Sequence, residues 1–443
     1  MRHVAEPERN TEILSEAEVV VLGGGPAGIA AAWAAARQGR STLLVERYGF
    51  LGGMGTAAGV TNFCGLHANV HGDMRRVVRG VADELLERIA ALGGLNPPHS
   101  IFGRTQAQAY DMSAYKCAAD ELVLGAGARL LFHALAAGVV MRDERSIDAL
   151  LVETRSGRRA IRARLFVDAS GDADLANWAG ARWEKGDAGG RLLYPTLMFR
   201  LNNVDPARAA ASLADLPRLM QEAEAGGRHR FARKGVILRP QQHPQEWRAN
   251  VTQVKNEDGS AVDGTDALQF SAGEIEGRRQ IRDYMRFLRE RVPGFEASYL
   301  LDIAAQLGIR ETRRIAGAYA LTAKDVLGCA SFADSIGVNA WPLERHVAGD
   351  VEWHWPPAEA RGYNHLPYRM LLPQGVRNLL VAGRCASMTS PAQSAARVSG
   401  GCFVMGQAAG TAAHLALAAG VDPAAVGVVE LQAQLERDGA WLG

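Results

Sequence analysis

Glu18-Val19-Val20-Val21-Leu22-Gly23-Gly24-Gly25-Pro26-Ala27-Gly28 is the stretch on which the reading of this chain turns. Residues 18–22 are rich in β-branched side chains with no alternation, which predicts a parallel strand buried on both faces. Three glycines and a proline follow at once, then an alanine-rich helix over 29–38 closed by Gly39. A second strand, Ser41-Thr42-Leu43-Leu44-Val45, ends at Glu46. Each glycine has a task in such a unit. Gly23 permits the tight turn, Gly25 lets a pyrophosphate approach the backbone, and Gly28 lets the helix lie close to the strand. Free N–H groups and the positive dipole end of the helix then face the phosphates. Glu46 lies 18 residues beyond Gly28, the spacing of a carboxylate that grips a ribose diol. An acid at that place argues against a 2′-phosphate. Strand, glycines, helix, strand and acid in that order predict a dinucleotide-binding βαβ unit.

Working outward, 443 residues suffice for two domains or for one carrying an insertion. Lys+Arg number 49 and Asp+Glu 48, so a formal charge of +1 gives no global field for nucleic acid or an anionic membrane. The local basic runs Arg75-Arg76 with Arg79, and Arg228-His229-Arg230 with Arg233-Lys234, read as solvated faces. Five scattered cysteines without a C-x-x-C predict neither a disulfide framework nor a metal site, and suit a reducing compartment. Residues 1–15 are polar and lack the apolar core of a secretory signal, so a cytoplasmic location is expected. The stretches 17–36 and 400–421 are apolar enough to suggest membrane spans. They are built from Gly and Ala, however, and predict helices packed tightly within the fold.

A second glycine-dense loop, Gly49-Phe50-Leu51-Gly52-Gly53-Met54-Gly55-Thr56, follows Glu46-Arg47 directly. Domains that bind only NAD rarely carry one there, whereas flavoproteins of the glutathione-reductase type wrap the pyrophosphate and ribityl chain with it. Further on, Val167-Asp168-Ala169-Ser170-Gly171-Asp172-Ala173-Asp174-Leu175-Ala176 runs from strand through turn to helix. So does Asn378-Leu379-Leu380-Val381-Ala382-Gly383-Arg384-Cys385-Ala386-Ser387, which leads to Gly406-Gln407-Ala408-Ala409-Gly410-Thr411-Ala412-Ala413. With Arg310-Glu311-Thr312-Arg313-Arg314-Ile315-Ala316-Gly317-Ala318-Tyr319-Ala320-Leu321, these blocks resemble the FAD-dependent oxidoreductase family over about residues 18–416, loosely between 190 and 300. The resemblance implies FAD as cofactor. It assigns the pyrophosphate to Gly23, Gly25, Pro26, Ala27 and Gly28, and the adenosine ribose to Glu46. It further implies that Arg47, Gly52, Gly53 and Met54 line the path to the flavin, and that Ala136 meets the adenine through its backbone in the strand after 127–129. Gly171 would close over the cofactor, and Gly383 and Arg384 would meet the ribityl–flavin region. Many flavoproteins have Asp where Arg384 stands, so its role here follows the narrower family. The helix beginning near Gly401 would aim its N-terminus at the flavin.

The expected fold is α/β: a Rossmann-type three-layer FAD-binding domain with an inserted mixed α+β cap for the substrate. Its parts are residues 1–189, the cap 190–361, and the returning half 362–443. The cap carries an irregular piece at 255–265 and an amphipathic helix at 274–291. Arg310, Arg313 and Arg314 form a cation cluster able to clamp a carboxylate or balance reduced flavin. His346 precedes Tyr363-Asn364-His365-Leu366-Pro367-Tyr368-Arg369 as in the family and is the first candidate base, with Tyr363 and His365 behind it. Cys64 reads as a buried inert thiol rather than a redox or flavin-attachment residue.

The function expected is two-electron oxidation of a small organic substrate by hydride transfer to flavin N5, as a dehydrogenase or oxidase. There is no second nucleotide fingerprint, so the expected acceptor is oxygen, a quinone or a partner protein, with NAD(P)H reacting without a domain of its own as the alternative. A homo-oligomer is compatible with the chain. A redox-neutral flavin isomerase and an escort-type binding protein on the same scaffold are the alternative readings.

Overall fold

The computed structural model describes Val4, Ala5 and residues 7–443. At its centre are parallel strands β1 (Ile13–Leu22), β2 (Thr42–Val45), β3 (Arg129–Leu131) and the long β6 (Gly157–Asp168). They lie in the order β3-β2-β1-β6. Strand β6 is shared along one edge. Its first half pairs antiparallel with β5 (Ser146–Thr154), which pairs in turn with β4 (Leu135–Asp143). Its last residues, Phe166–Asp168, pair parallel with β7 (Leu379–Val381) from the far end of the chain.

Pleating sends alternate side chains of these strands to opposite layers, and both layers are apolar. Val19, Val21, Leu44 and Val167 join a core with helix α1 (Pro26–Arg37), while Val20, Leu22, Leu43 and Phe166 join Ile147, Leu150 and Val152 of the antiparallel strands. The three-layer α/β fold expected from the sequence is therefore present. Helix α1 starts at Pro26 with Gly25 as its N-cap, three residues before the start expected from the alanine run. Proline suits that first turn because it has no N–H to leave unpaired.

Helix α3 (Ser399–Ala419) is, among the described residues, the one helix long and apolar enough to cross a membrane, yet 67% of its most apolar window is buried. What covers it is α1. A Cβ at Gly406 would overlap the carbonyl of Ala27, and one at Gly410 the carbonyl of Ala31, so two helix backbones touch where glycine removes the side chain.

A separate core, drawn from Leu197 through Ile309, belongs to the cap. It consists of a four-stranded antiparallel sheet containing Phe199–Asn202, Ile237–Pro240, Trp247–Asn250 and Tyr299–Ile303, covered by α2 (Ala267–Arg291). Helix α2 begins earlier than the expected 274 because Asp266 caps it, accepting from the N–H groups of Leu268 and Gln269. The expected boundary at 361 shifts too. Leu321, Val338 and Leu343 pack into the core around α1, so the stretch 190–361 divides near residue 310.

Candidate functional site

One cavity of about 580 Å³ runs from the antiparallel strands past the glycine loops and into the cap. Its first end is made by Ala134, Leu135 and Ala136, with Ala136 in β4, one strand later than the Arg129–Leu131 strand that directly follows 127–129. Glu46 sits beside this end, 6% exposed, at the close of β2. Its carboxylate accepts from the N–H of Gly24 at 2.6 Å and of Tyr48 at 2.9 Å, which ties the acid to the first glycine loop.

The two glycine loops form one structure. Gly52 donates its N–H to the carbonyl of Gly24 at 2.8 Å, and a Cβ on Gly53 would come within 2.7 Å of Gly25 Cα. Gly23 holds φ at +100°, a region closed to most L-residues, and a Cβ on Gly28 would overlap its carbonyl. These contacts sort the sequence-predicted residues. Gly23, Gly25, Pro26, Ala27, Glu46, Arg47, Gly53, Met54, Ala136, Gly171, Gly383 and Arg384 line the cavity, as do His346 and Arg310. Gly28 and Gly52 stand behind the lining and shape it. Gly401 also stands behind, packed on the backbone of Ala396, while Val398, Ser399 and Cys402 of the same turn face the cavity.

This lining fits an extended dinucleotide. It offers a backbone-walled trough at the glycine loops, an acid at one end and a helix N-terminus further along. Arg384 pairs with Asp172 at 2.9 Å and lies against Gly171, where a Cβ would come within 2.9 Å of its guanidinium. Arg47 donates to Gln306 Oε1 at 2.9 Å.

The cap end is chemically different. His346 is 3% exposed on the strand Leu343–Val347, and its Nε2 meets Glu344 Oε1 at 3.1 Å. Trp341 Nε1 donates to the other carboxylate oxygen at 2.8 Å. Partnership with His346, the Arg397 charge and the Trp341 donor hold the Glu344 carboxyl down at about 2 against a burial that pushes it up. Burial first, then the Arg310 charge, keep the His346 imidazolium well below its ordinary range. The imidazole is therefore neutral at pH 7. Since ionised Glu344 accepts at Nε2, the ring proton sits there and Nδ1 carries the lone pair.

Of the predicted cation cluster, only Arg310 reaches the cavity. Arg313 pairs with Asp174 at 2.9 Å, and Arg314 is buried against Glu311 as a structural ion pair. Arg310 donates to the carbonyl of Tyr194 at 2.9 Å, and the Tyr194 N–H donates to the backbone carbonyl of His346 at 3.0 Å, so the backbone of one residue ties Arg310 to the His346 strand. Tyr363 and His365, the lesser base candidates, are absent from the lining. Burial beside Glu344 raises the Cys64 thiol to about 12, consistent with an inert thiol although it faces the cavity.

Three further arginines were not singled out from the sequence as site residues. The sequence places Arg233 on a solvated basic face, but it is 1% exposed and lines the cavity. Arg248, on Trp247–Asn250, and Arg397, just before α3, line it as well. The one local signal was position: Arg248 stands between Trp247 and Ala249, and Arg397 follows the buried run 392–396.

The chain matches the FAD dependent oxidoreductase family over residues 18–435, and it belongs to that family. It is thus a flavoenzyme whose cofactor is FAD, and the escort-type, non-redox reading is set aside. Among curated proteins, none matches it in sequence. Solved structures of similar fold include a geranylgeranyl bacteriochlorophyll reductase-like protein from Thermoplasma acidophilum, at 13% identity and TM-score 0.49, covering 96% of this chain and 84% of that one. The p-nitrophenol 4-monooxygenase of Pseudomonas putida is similar at 11% identity and TM-score 0.48, covering 96% and 88%. For the anhydrotetracycline hydroxylase of Streptomyces rimosus, identity is 14% and TM-score 0.45; 95% of this chain is covered but it spans 65% of the hydroxylase.

Proposed function

We propose that this enzyme oxidises a small organic substrate by two electrons, with His346 as the base that takes the substrate proton. FAD bound along the cavity supplies a hydride-accepting ring. The glycine trough, with Gly23, Gly25 and Gly53, holds the pyrophosphate, and Glu46 the ribose diol. Val398 and Ser399 present the α3 N-terminus to the ring end, where its dipole favours negative charge. The observation that carries the reading is the His346–Glu344 pair, a neutral imidazole oriented by an ionised carboxylate in the cavity wall. In an alcohol or amine substrate, the C–H bond releases hydride while His346 Nδ1 takes the O–H or N–H proton, and a C=O or C=N bond results. Glu344 stabilises the imidazolium that forms.

Anaerobic bleaching of the flavin absorbance against a panel of alcohols, amines and hydroxy acids tests this. The substrate that bleaches the wild type should do so at least 100-fold more slowly in His346→Gln, within the range general-base catalysis contributes. Wild-type bleaching should not lose a base on acidification until well under the ordinary histidine range, because the proton-accepting form persists above a depressed pKa. Arg310→Gln removes a cation that depresses His346 and should move that limb upward. Equal rates in wild type and His346→Gln would refute the assignment.

A further inference from the structure

The cap end of the cavity holds more positive charge than the protein neutralises. Arg233, Arg248 and Arg310 are 1%, 3% and 5% exposed, and all three line the cavity together with Arg397. Their hydrogen-bond acceptors are neutral. Arg233 bonds the carbonyl of Gly235 and the Asn250 side chain, and Arg310 the carbonyl of Tyr194. Arg248 reaches Met198 Sδ, and Asn62 with its amide oxygen turned toward Nη2. Arg397 has only a 3.5 Å contact to the Glu344 carbonyl. Among the described residues, no carboxylate forms an ion pair with any of the four. Two acids of the lining act on them: Glu344 is committed to Trp341 and His346, and Asp350, near Arg233, makes no ion pair with it.

Three buried donor atoms have no partner at all: Nη2 of Arg233, Nε of Arg248 and Nε of Arg397. A buried guanidinium with unmet donors is strongly unfavourable, and neighbouring cations add to the cost. Burial lowers every one of the four, Arg248 to about 10, and neighbouring cations add to it for Arg248, Arg310 and Arg397. A chain that folds despite this has a use for the field. The cations also occupy two walls. Arg233 and Arg248 belong to the cap sheet and the loop before it, whereas Arg310 and Arg397 lie on the nucleotide-binding side next to His346. Two walls of guanidinium edges match two acid groups on one molecule, since each Nε–Nη edge pairs side-on with a carboxylate.

We infer that the substrate is a small organic dicarboxylate, one acid group held by Arg310 and Arg397 and the other by Arg233 and Arg248. This rests on the oxidation reading, because it names the molecule that His346 faces. It makes a prediction which a structural role for the arginines does not. Replacing a binding arginine by a hydrophobic side chain should leave the fold as stable or more so, because an uncompensated charge leaves the interior.

The test uses the FAD-loaded protein and calorimetric titration with succinate, glutarate, butyrate and glycerol 3-phosphate. One of the two dicarboxylates should bind at least 10-fold more tightly than butyrate and than glycerol 3-phosphate. Arg248→Met and Arg397→Met should each weaken it at least 10-fold, with a melting temperature equal to or above that of the wild type. Equal binding of butyrate and the dicarboxylates would overturn the inference, as would preference for glycerol 3-phosphate. A fall in melting temperature with unchanged binding would assign the arginines to structure instead. The two readings fail separately. Dicarboxylate binding with no bleaching by any dicarboxylate or hydroxy dicarboxylate leaves the anion site standing and removes the oxidation, whereas bleaching by an uncharged alcohol that ignores Arg248→Met does the reverse.

Discussion

Replacing Glu46 by glutamine changes one atom and separates two jobs that the carboxylate performs. Oε2 accepts from Gly24 N–H at 2.6 Å and Oε1 from Tyr48 N–H at 2.9 Å. Each oxygen has a second lone pair, and those are what a ribose diol would use. Glutamine keeps one acceptor and turns an NH2 onto the other donor, inside a site only 6% exposed. Hydrogen bonds to a charged partner contribute about 1.5–3 kcal/mol. At about 1.4 kcal/mol per tenfold, FAD affinity should fall about 10- to 150-fold. The assay is quenching of flavin fluorescence on titration of the apoprotein, run with FAD and with FAD lacking the adenosine 2′-hydroxyl. If Glu46 grips the diol, the analogue already loses part of that energy in the wild type, and Glu46→Gln adds less with the analogue than with FAD. The same fold-loss for both ligands would refute the ribose role and reduce Glu46 to a brace for the first glycine loop.

Gly53→Ala places a methyl 2.7 Å from Gly25 Cα and should wedge the glycine loops apart, lowering FAD affinity at least 10-fold in the same titration; unchanged affinity would show the trough is not where the pyrophosphate lies. Cys64, with a thiol near 12, should resist iodoacetamide at pH 8 while exposed Cys117 reacts; peptide mass spectrometry reads both, and equal modification would contradict burial of the Cys64 thiol. Burial, then the Arg76 charge, lowers His67 from 6.5 to about 4. Between those values the unfolded chain binds a proton that the folded chain refuses, so stability falls on acidification by up to about 1.4 kcal/mol per pH unit. Urea midpoints across that window should show a shallower slope for His67→Leu than for the wild type, and identical slopes would sink the assignment.

The nucleotide-binding half was legible because its signals are local. A run such as Val19-Val20-Val21 declares a strand buried on both faces, and a Gly23–Gly28 spacing declares a turn and a close helix, all within a dozen residues. The second glycine loop sat beside the first in sequence and touches it in space, through the bond from Gly52 N–H to the Gly24 carbonyl. Gly401 shows the limit of such matching. Glycine in a helix N-terminus can serve a ligand or a neighbouring backbone equally, and here the backbone of Ala396 is what it meets. The cap boundary was misplaced for a related reason. Residues 310–361 are irregular like the cap, but their apolar side chains reach the core around α1, and partnership of that kind leaves no period in the chain.

The cap end of the site was the least legible part, because charge in a sequence has no address. Arg233 belongs to a run of basic residues that looks like any solvated face, and only the cap sheet turns it inward, with Tyr284 above it donating to its carbonyl at 3.4 Å. Arg248 and Arg397 are 149 residues apart and line one cavity only because the fold brings a cap strand and the N-terminus of α3 to it. Once assembled, the cluster acts on a residue the sequence did single out. Burial first, and then the charges of Arg310 and Arg397, keep His346 unprotonated, so on the dicarboxylate reading two of the binding cations also act on the proposed base. An anionic substrate would neutralise those charges on arrival and let the imidazole hold a proton more readily. On the proposed reading His346 becomes a stronger proton acceptor as the substrate is seated, which couples substrate binding to proton removal.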